Sequence, residues 1–285
     1  MTRRCTQRQF LLKPSARTNE LVRYCLALAA QRTGVLLHAV CFLSNHWHGV
    51  VTDPLARLPE FLERFHRLFA RAQNASLGRW ENLWSSDKPS VVHLISDQDI
   101  LDKMAYTIAN PTAAGLVRSP NEWPGVITLR IGERRTVKVP DAFFDPEGDL
   151  PDSVELELTR PPIYPQLDHN ALGRYLLAAV EHHVRQARRA LAAQGRKFLG
   201  AKAVRQQPFT ALPKSVELRR NPSPRIAAQH APERVQAIRD MLAFVRAYRQ
   251  AWTAWRDGKR DTVFPLGTYA LRIYARVACA PACPM

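Results

Sequence analysis

Two hydrophobic periods alternate along the first half of the chain. Val35 to Leu43 and His46 to Thr52 are short apolar runs rich in β-branched and aromatic residues, and they predict strands. Only Ser44 and Asn45 separate them, so the two strands are expected to pair as antiparallel neighbours. Arg3 to Leu12 reads as an earlier strand and Val91 to Ile95 as a short later one. Helical spacing takes over between them. Phe61, Leu62, Phe65, Leu68 and Phe69 line one face of a predicted helix over Pro59 to Leu77, and Asn19 to Thr33 forms another. Asp97 to Asn110 is a third helix, with acidic residues in its first turn and Pro111 expected to end it. The resulting β-α-β-β-α-β order, with one helix appended, predicts an α+β chain of ferredoxin-like arrangement. Such a fold by itself carries no function.

Chemistry first enters on the second long strand. Side chains alternate faces along a strand, so His46 and His48 project to one side and Trp47 to the other, toward the core. Two neutral imidazoles about 7 Å apart along a strand suit convergence on one divalent ion. An isolated His-x-His reads more readily as a surface pair, and it is a second constellation that overturns this. On the predicted helix before Pro111, Tyr106 and Asn110 stand four residues apart and therefore share a face. A phenol and an amide carbonyl so placed can both approach an ion held by the histidines.

Ser44-Asn45-His46-Trp47-His48, followed by Tyr106-x-x-x-Asn110-Pro111-x-x-Ala114-Gly115-Leu116-Val117, resembles the REP-associated tyrosine transposases. These are single-tyrosine members of the HUH endonuclease superfamily. The resemblance covers about residues 1 to 125 and implies a ferredoxin-like βαββαβ HUH nuclease domain. It implies that His46 and His48, with Asn110 as third ligand, bind Mg or Mn. It further implies that Tyr106 attacks a phosphate of single-stranded or hairpin DNA, leaving a 5′-phosphotyrosine and a free 3′-hydroxyl. Two departures stand out: Leu43-Ser44 replaces the family's usual Met-Pro lead, and a long C-terminal region follows.

The remaining histidines and tryptophans compete for roles. His38, His66 and His93 lack a same-face partner and read as structural, while Asp53 reads as part of a turn with Pro54. Trp80, Trp84 and Trp123 lie in polar segments and are candidates for stacking on unpaired bases.

Charge then divides the chain. The formal net charge is +16, and from Arg160 onward there are 22 Lys+Arg against 7 Asp+Glu. Residues 1–139 are expected to form the catalytic domain. An acidic, Pro-rich linker or surface excursion follows over 140–162, and within it Val154 to Leu158 alternates like a strand. Residues 163–285 form a basic, mainly helical C-terminal region, with helices over His169 to Gln194 and Ala231 to Asp257. Arg174, Arg185, Arg188, Arg189, Arg196 and Lys197 are its candidate phosphate contacts, of the kind that position nucleic acid without reading sequence. Val263 to Tyr269 reads as a docking turn with no chemistry.

Five scattered cysteines argue against a secreted disulfide framework, and Cys279 and Cys283 read as part of a frayed tail. With no signal core and no long apolar run, a cytoplasmic protein is expected, nucleoid-associated when bound to DNA, with no membrane partner. Monomer and homodimer both remain open. Two other classes stay in view: a catalytically silent nucleic-acid-binding or regulatory protein that retains the fold, and a scaffold whose basic half meets an acidic partner.

Overall fold

The computed structural model describes residues 1–143, 148–214 and 225–282. Its elements are β1 (Thr2–Arg4), α1 (Ala16–Thr33), β2 (Leu36–Phe42), β3 (His46–Thr52), α2 (Leu58–Ser76), β4 (His93–Leu94) and α3 (Asp97–Ala113). These are followed by β5 (Arg134–Lys138), β6 (Ser153–Glu157), α4 (His169–Ala193), α5 (Ala201–Gln206), β7 (Ile226–Ala227), α6 (Ala231–Arg256) and α7 (Ala270–Tyr274). The chain is α+β. No helix among the described residues is long and apolar enough to cross a membrane.

The central sheet runs β1-β3-β2 and is antiparallel throughout. The β2–β3 hairpin turns through Ser44 and Asn45, with Phe42 opposite Trp47 and Cys41 opposite His48. Both sheet edges are partly covered. Thr2 bridges Ser90 on the β1 side, and Cys41 bridges Ile127 while Leu37 bridges Leu158 on the β2 side. Covered edges leave few unpaired backbone groups to recruit other chains.

The two sheet faces carry different layers. On one, Trp47 and Phe42 stack at 5.2 Å, and Phe65 meets Trp47 edge-on at the same distance. Leu21, Leu26, Phe61 and Phe69 from α1 and α2 complete this core. On the other face, Ala39 and Val50 meet Met104, Ala105 and Ile108 of α3. Leu176, Val180 and Val184, spaced one helical turn apart on α4, close the far side of α3. The alternation along β3 thus sends Trp47 into the α1–α2 core and turns His46 and His48 toward the opposite face.

Several expectations need correction. The first strand is three residues long rather than spanning Arg3 to Leu12. The apolar residues beyond it belong to a packed loop, in which Leu11 and Leu12 are buried and the Leu12 N–H donates to the Ser44 carbonyl at 2.8 Å. The strand expected over Val91 to Ile95 shrinks to β4, which pairs in parallel with β7 outside the central sheet. Pro111 lies inside α3 rather than ending it. A proline in the last turn removes a single backbone donor, and the stop comes from Gly115 at φ +74°. Gly115 N–H donates to Thr112 O at 2.9 Å and Leu116 N–H to Pro111 O at 3.0 Å, a Schellman closure.

The acidic segment after residue 139 contributes to the main core. Its strand β6 pairs antiparallel with β5, and Val154, Leu156 and Leu158 are buried in the cluster around α1. Asp145 and Glu147 lie outside the described residues, as do the end of the Pro208–Pro224 stretch and Cys283. The Val263–Tyr269 turn docks as expected: Phe264 is fully buried, and Tyr269 Oη donates to Glu63 of α2 at 3.2 Å.

Candidate functional site: a histidine pair beside Tyr106

The hairpin turn sets the first histidine. Asn45 Nδ2 donates to the Arg8 carbonyl at 3.0 Å, which orients the amide so that Oδ1 faces His46 Nδ1 at 2.7 Å. An amide oxygen only accepts, so His46 must carry its proton on Nδ1 and keep the Nε2 lone pair free. This arrangement of a polar neighbour fixing the tautomer is the one metal-bound imidazoles use. The sequence motif contained Asn45, but only the fold reveals its role.

His46 and His48 meet as the strand period requires, with ring centroids 4.9 Å apart and planes at 84°. Burial pulls the His46 pKa down to about 4, with nearby Arg8 adding to the effect. Burial likewise pulls His48 down to about 3, helped by His46. Both rings are therefore neutral at physiological pH, the state in which imidazole donates a lone pair. Gly49 is needed beside them, since a Cβ there would lie 2.7 Å from the Trp47 indole.

Helix α3 brings the tyrosine. Ser96 caps it by accepting from the Asp99 N–H at 3.1 Å, while Asp99 reaches back to the Ser96 N–H at 3.3 Å. From that anchored start, Tyr106 reaches His48 with ring centroids 5.8 Å apart and planes at 87°. Tyr106 is 40% exposed while Asn110, one turn further on, is 6% exposed. Contacts therefore join His46 to His48 and His48 to Tyr106, while Asn110 is buried one turn along α3 from Tyr106. No group of three or more His, Cys, Asp or Glu that could hold a metal occurs among the described residues. Two neutral imidazoles, that of His46 with its tautomer fixed by Asn45, fit two positions of an ion site, and a third protein ligand would have to be of another type, such as the Asn110 amide.

A cleft of about 1180 Å³ opens from His46. Arg3, Arg4, Arg8, Lys88, Arg196 and Lys214 line it, and its carboxylate, Asp87, is bound to Arg4 at 2.6 Å. The balance of charge is complementary to a polyanion. Most of these cations come from the near-neutral first half of the chain, so counting charge by segment missed them.

The six basic residues singled out from sequence meet different fates. Arg196 lines the cleft. Arg188 donates through Nε and Nη2 to the Arg118 carbonyl at 2.9 and 2.7 Å, and Arg185 pairs with Glu181 at 3.6 Å. These two candidate phosphate contacts therefore have partners on and beside α4. Arg174, Arg189 and Lys197 are exposed. Of the three tryptophans, Trp80 alone is open, at 95% exposure. Trp84 and Trp123 are buried and donate their indole N–H to the His66 and Phe42 carbonyls, so they do not serve as stacking platforms. His38 is buried between the Thr159 carbonyl and the Thr52 hydroxyl, as a structural histidine should be. Asp53 accepts from the Arg57 and Leu58 N–H groups and so anchors the start of α2.

Comparison with protein-family models, curated proteins and solved structures gave no match for this chain.

Proposed function

We propose that this protein is a metal-dependent single-stranded DNA endonuclease and strand transferase that works through a 5′-phosphotyrosine on Tyr106. The observation carrying this reading is the contact of His48, paired with His46 on a strand, with Tyr106 from a helix at 5.8 Å, while a basic cleft opens from His46. The β1-β3-β2 order, with α1 and α2 on one face, supports the ferredoxin-like HUH arrangement that the motifs resemble.

In this mechanism His46 and His48 would hold Mg or Mn through their neutral nitrogens, and Asn110 would supply an amide oxygen. The bound ion supplies Lewis acidity toward a phosphate oxygen. Cations of the cleft hold the flanking phosphates of the strand and set its register. Tyr106, on the rim of α3 and accessible to solvent, attacks phosphorus. The P–O3′ bond breaks, and the 3′-oxygen leaves to become a hydroxyl. The phosphotyrosine ester conserves the energy of the broken bond for rejoining, which suits strand transfer better than simple hydrolysis.

The test is a denaturing gel of the full chain with labelled single-stranded DNA, with and without Mn. A covalent band that needs the metal and is lost in His46→Ala supports the nuclease. Tight, chelator-resistant binding with no covalent band across a diverse pool instead favours a silent nucleic-acid-binding protein.

A further inference from the structure

The C-terminal region reaches the candidate nucleophile through one residue of α4. His183 stands with its ring centroid 6.3 Å from that of Tyr106, planes at 78°. Its Nε2 lies 2.9 Å from Asp102 Oδ1. A carboxylate only accepts, so His183 donates its Nε2 proton to Asp102, and in the neutral ring the lone pair then sits on Nδ1. Asp102 Oδ2 also binds Lys103 Nζ at 3.2 Å, and that ammonium lies 5.4 Å from the Tyr106 ring centroid. Asp102, Lys103 and Tyr106 belong to successive turns of one α3 face, whereas His183 is brought to them from 77 residues away by the packing of α4 on α3.

We infer that His183, held by Asp102, is the proton acceptor for Tyr106. The inference rests on the nuclease reading and names the residue that reading lacks. A nucleophile, a base beside it and a third group orienting the base form the arrangement by which hydroxyl nucleophiles are activated. As the Tyr106 oxygen bonds to phosphorus, its proton passes to His183 Nδ1, giving an imidazolium that faces Asp102. The P–O3′ bond breaks, and the departing 3′-oxygen takes a proton from water. On rejoining, the 3′-hydroxyl gives its proton to water as its oxygen displaces the phenol oxygen, which takes its proton back from the imidazolium. Asp102 is a positioning residue here, since it touches neither DNA nor phenol. His183 is part-exposed, with 22% of its side chain accessible.

Full-length wild type, His183→Ala and His183→Gln are mixed with saturating labelled single-stranded DNA and Mn, and adduct formation is timed in a single turnover. Loss of a general base predicts a rate reduced by about 10²–10⁴-fold in both variants, with DNA binding retained. His183→Gln keeps a donor for Asp102 and so separates a lost base from a disturbed helix pair. Added imidazole is expected to restore a substantial part of the rate in His183→Ala, an effect that a merely structural role would not produce. If wild type forms adduct and both variants match its rate, or if imidazole restores nothing, the assignment of His183 is overturned while Tyr106 stands. If wild type itself forms no adduct across the pool, the nuclease reading fails and His183 falls with it.

Discussion

The imidazole of His48 and the phenol ring of Tyr106 meet edge to face, with centroids 5.8 Å apart. One comes from the third residue of β3 and the other from the tenth of α3, so the contact exists only because α3 covers the sheet face opposite Trp47. Tyr106 is 40% exposed and no hydrogen bond of its hydroxyl is seen among the described residues, so the fold draws little support from that hydroxyl. Tyr106→Phe should change the urea unfolding free energy by less than about 0.5 kcal/mol. A loss of several kcal/mol would make Tyr106 a structural residue.

Asn45 offers a test of the proposed metal site that spares both histidines. Asn45→Ala removes the acceptor that fixes the His46 tautomer. Loss of such an orienting partner should weaken Mn binding by about 10–100-fold. Calorimetric titration with Mn would read it, and unchanged affinity would contradict the proposed role of His46.

The cleft makes a salt-dependent prediction. Lys88, Arg196 and Lys214 line it from three separate segments. Replacing all three with alanine should weaken single-strand binding. It should also flatten the plot of log affinity against log salt by about 2, since each lost phosphate contact removes roughly 0.7 from the slope. Fluorescence anisotropy across a salt series measures this, and an unchanged slope would place the DNA path elsewhere.

Gly49 tests the link between the core and the site. The Trp47 indole occupies the space a Cβ would need, with the nearest approach 2.7 Å, and Trp47 itself is 1% exposed. Gly49→Ala should cost about 1–3 kcal/mol in thermal or urea unfolding through overpacking. A neutral result would mean that the indole shifts freely.

His38 sets an acid limit on stability. It is 1% exposed, and burial lowers its pKa to about 4, below the ordinary value near 6.5. Between those values the unfolded chain binds a proton that the folded chain refuses. Stability therefore rises with pH across that window and falls as pH drops through it, by about 3 kcal/mol from this residue. His66 is lowered in the same direction, chiefly by burial, and steepens the trend. Urea midpoints from pH 7 to 4.5 should show a shallower decline in His38→Gln than in wild type, and equal slopes would contradict the assignment.

How far the sequence reveals these features depends on whether their causes are local. The β2–β3 hairpin and its histidine face were legible because period-two alternation and a two-residue link determine them within 17 residues. Leu11 and Leu12 looked like strand because a loop that packs into a core is as apolar as a strand. The parallel pairing of His93 and Leu94 with Ile226 and Ala227 joins segments more than 130 residues apart, and no local pattern marks it. Trp84 and Trp123 sit in polar stretches, yet each finds a buried carbonyl for its indole N–H, so neighbouring polarity misleads for a residue with one donor to satisfy. The basic cleft was hidden because its cations are drawn from segments far apart in the chain, around residues 3–8, 88, 196 and 214, and His183 because only the α3–α4 packing brings it to Tyr106.

The most direct test is mass spectrometry of the protein after incubation with single-stranded DNA and Mn, followed by nuclease and trypsin digestion. The nuclease reading predicts a nucleotide phosphate linked to the peptide that contains Tyr106, present in wild type and absent in His46→Ala and Tyr106→Phe. An adduct on another residue, or one that persists in Tyr106→Phe, would contradict it.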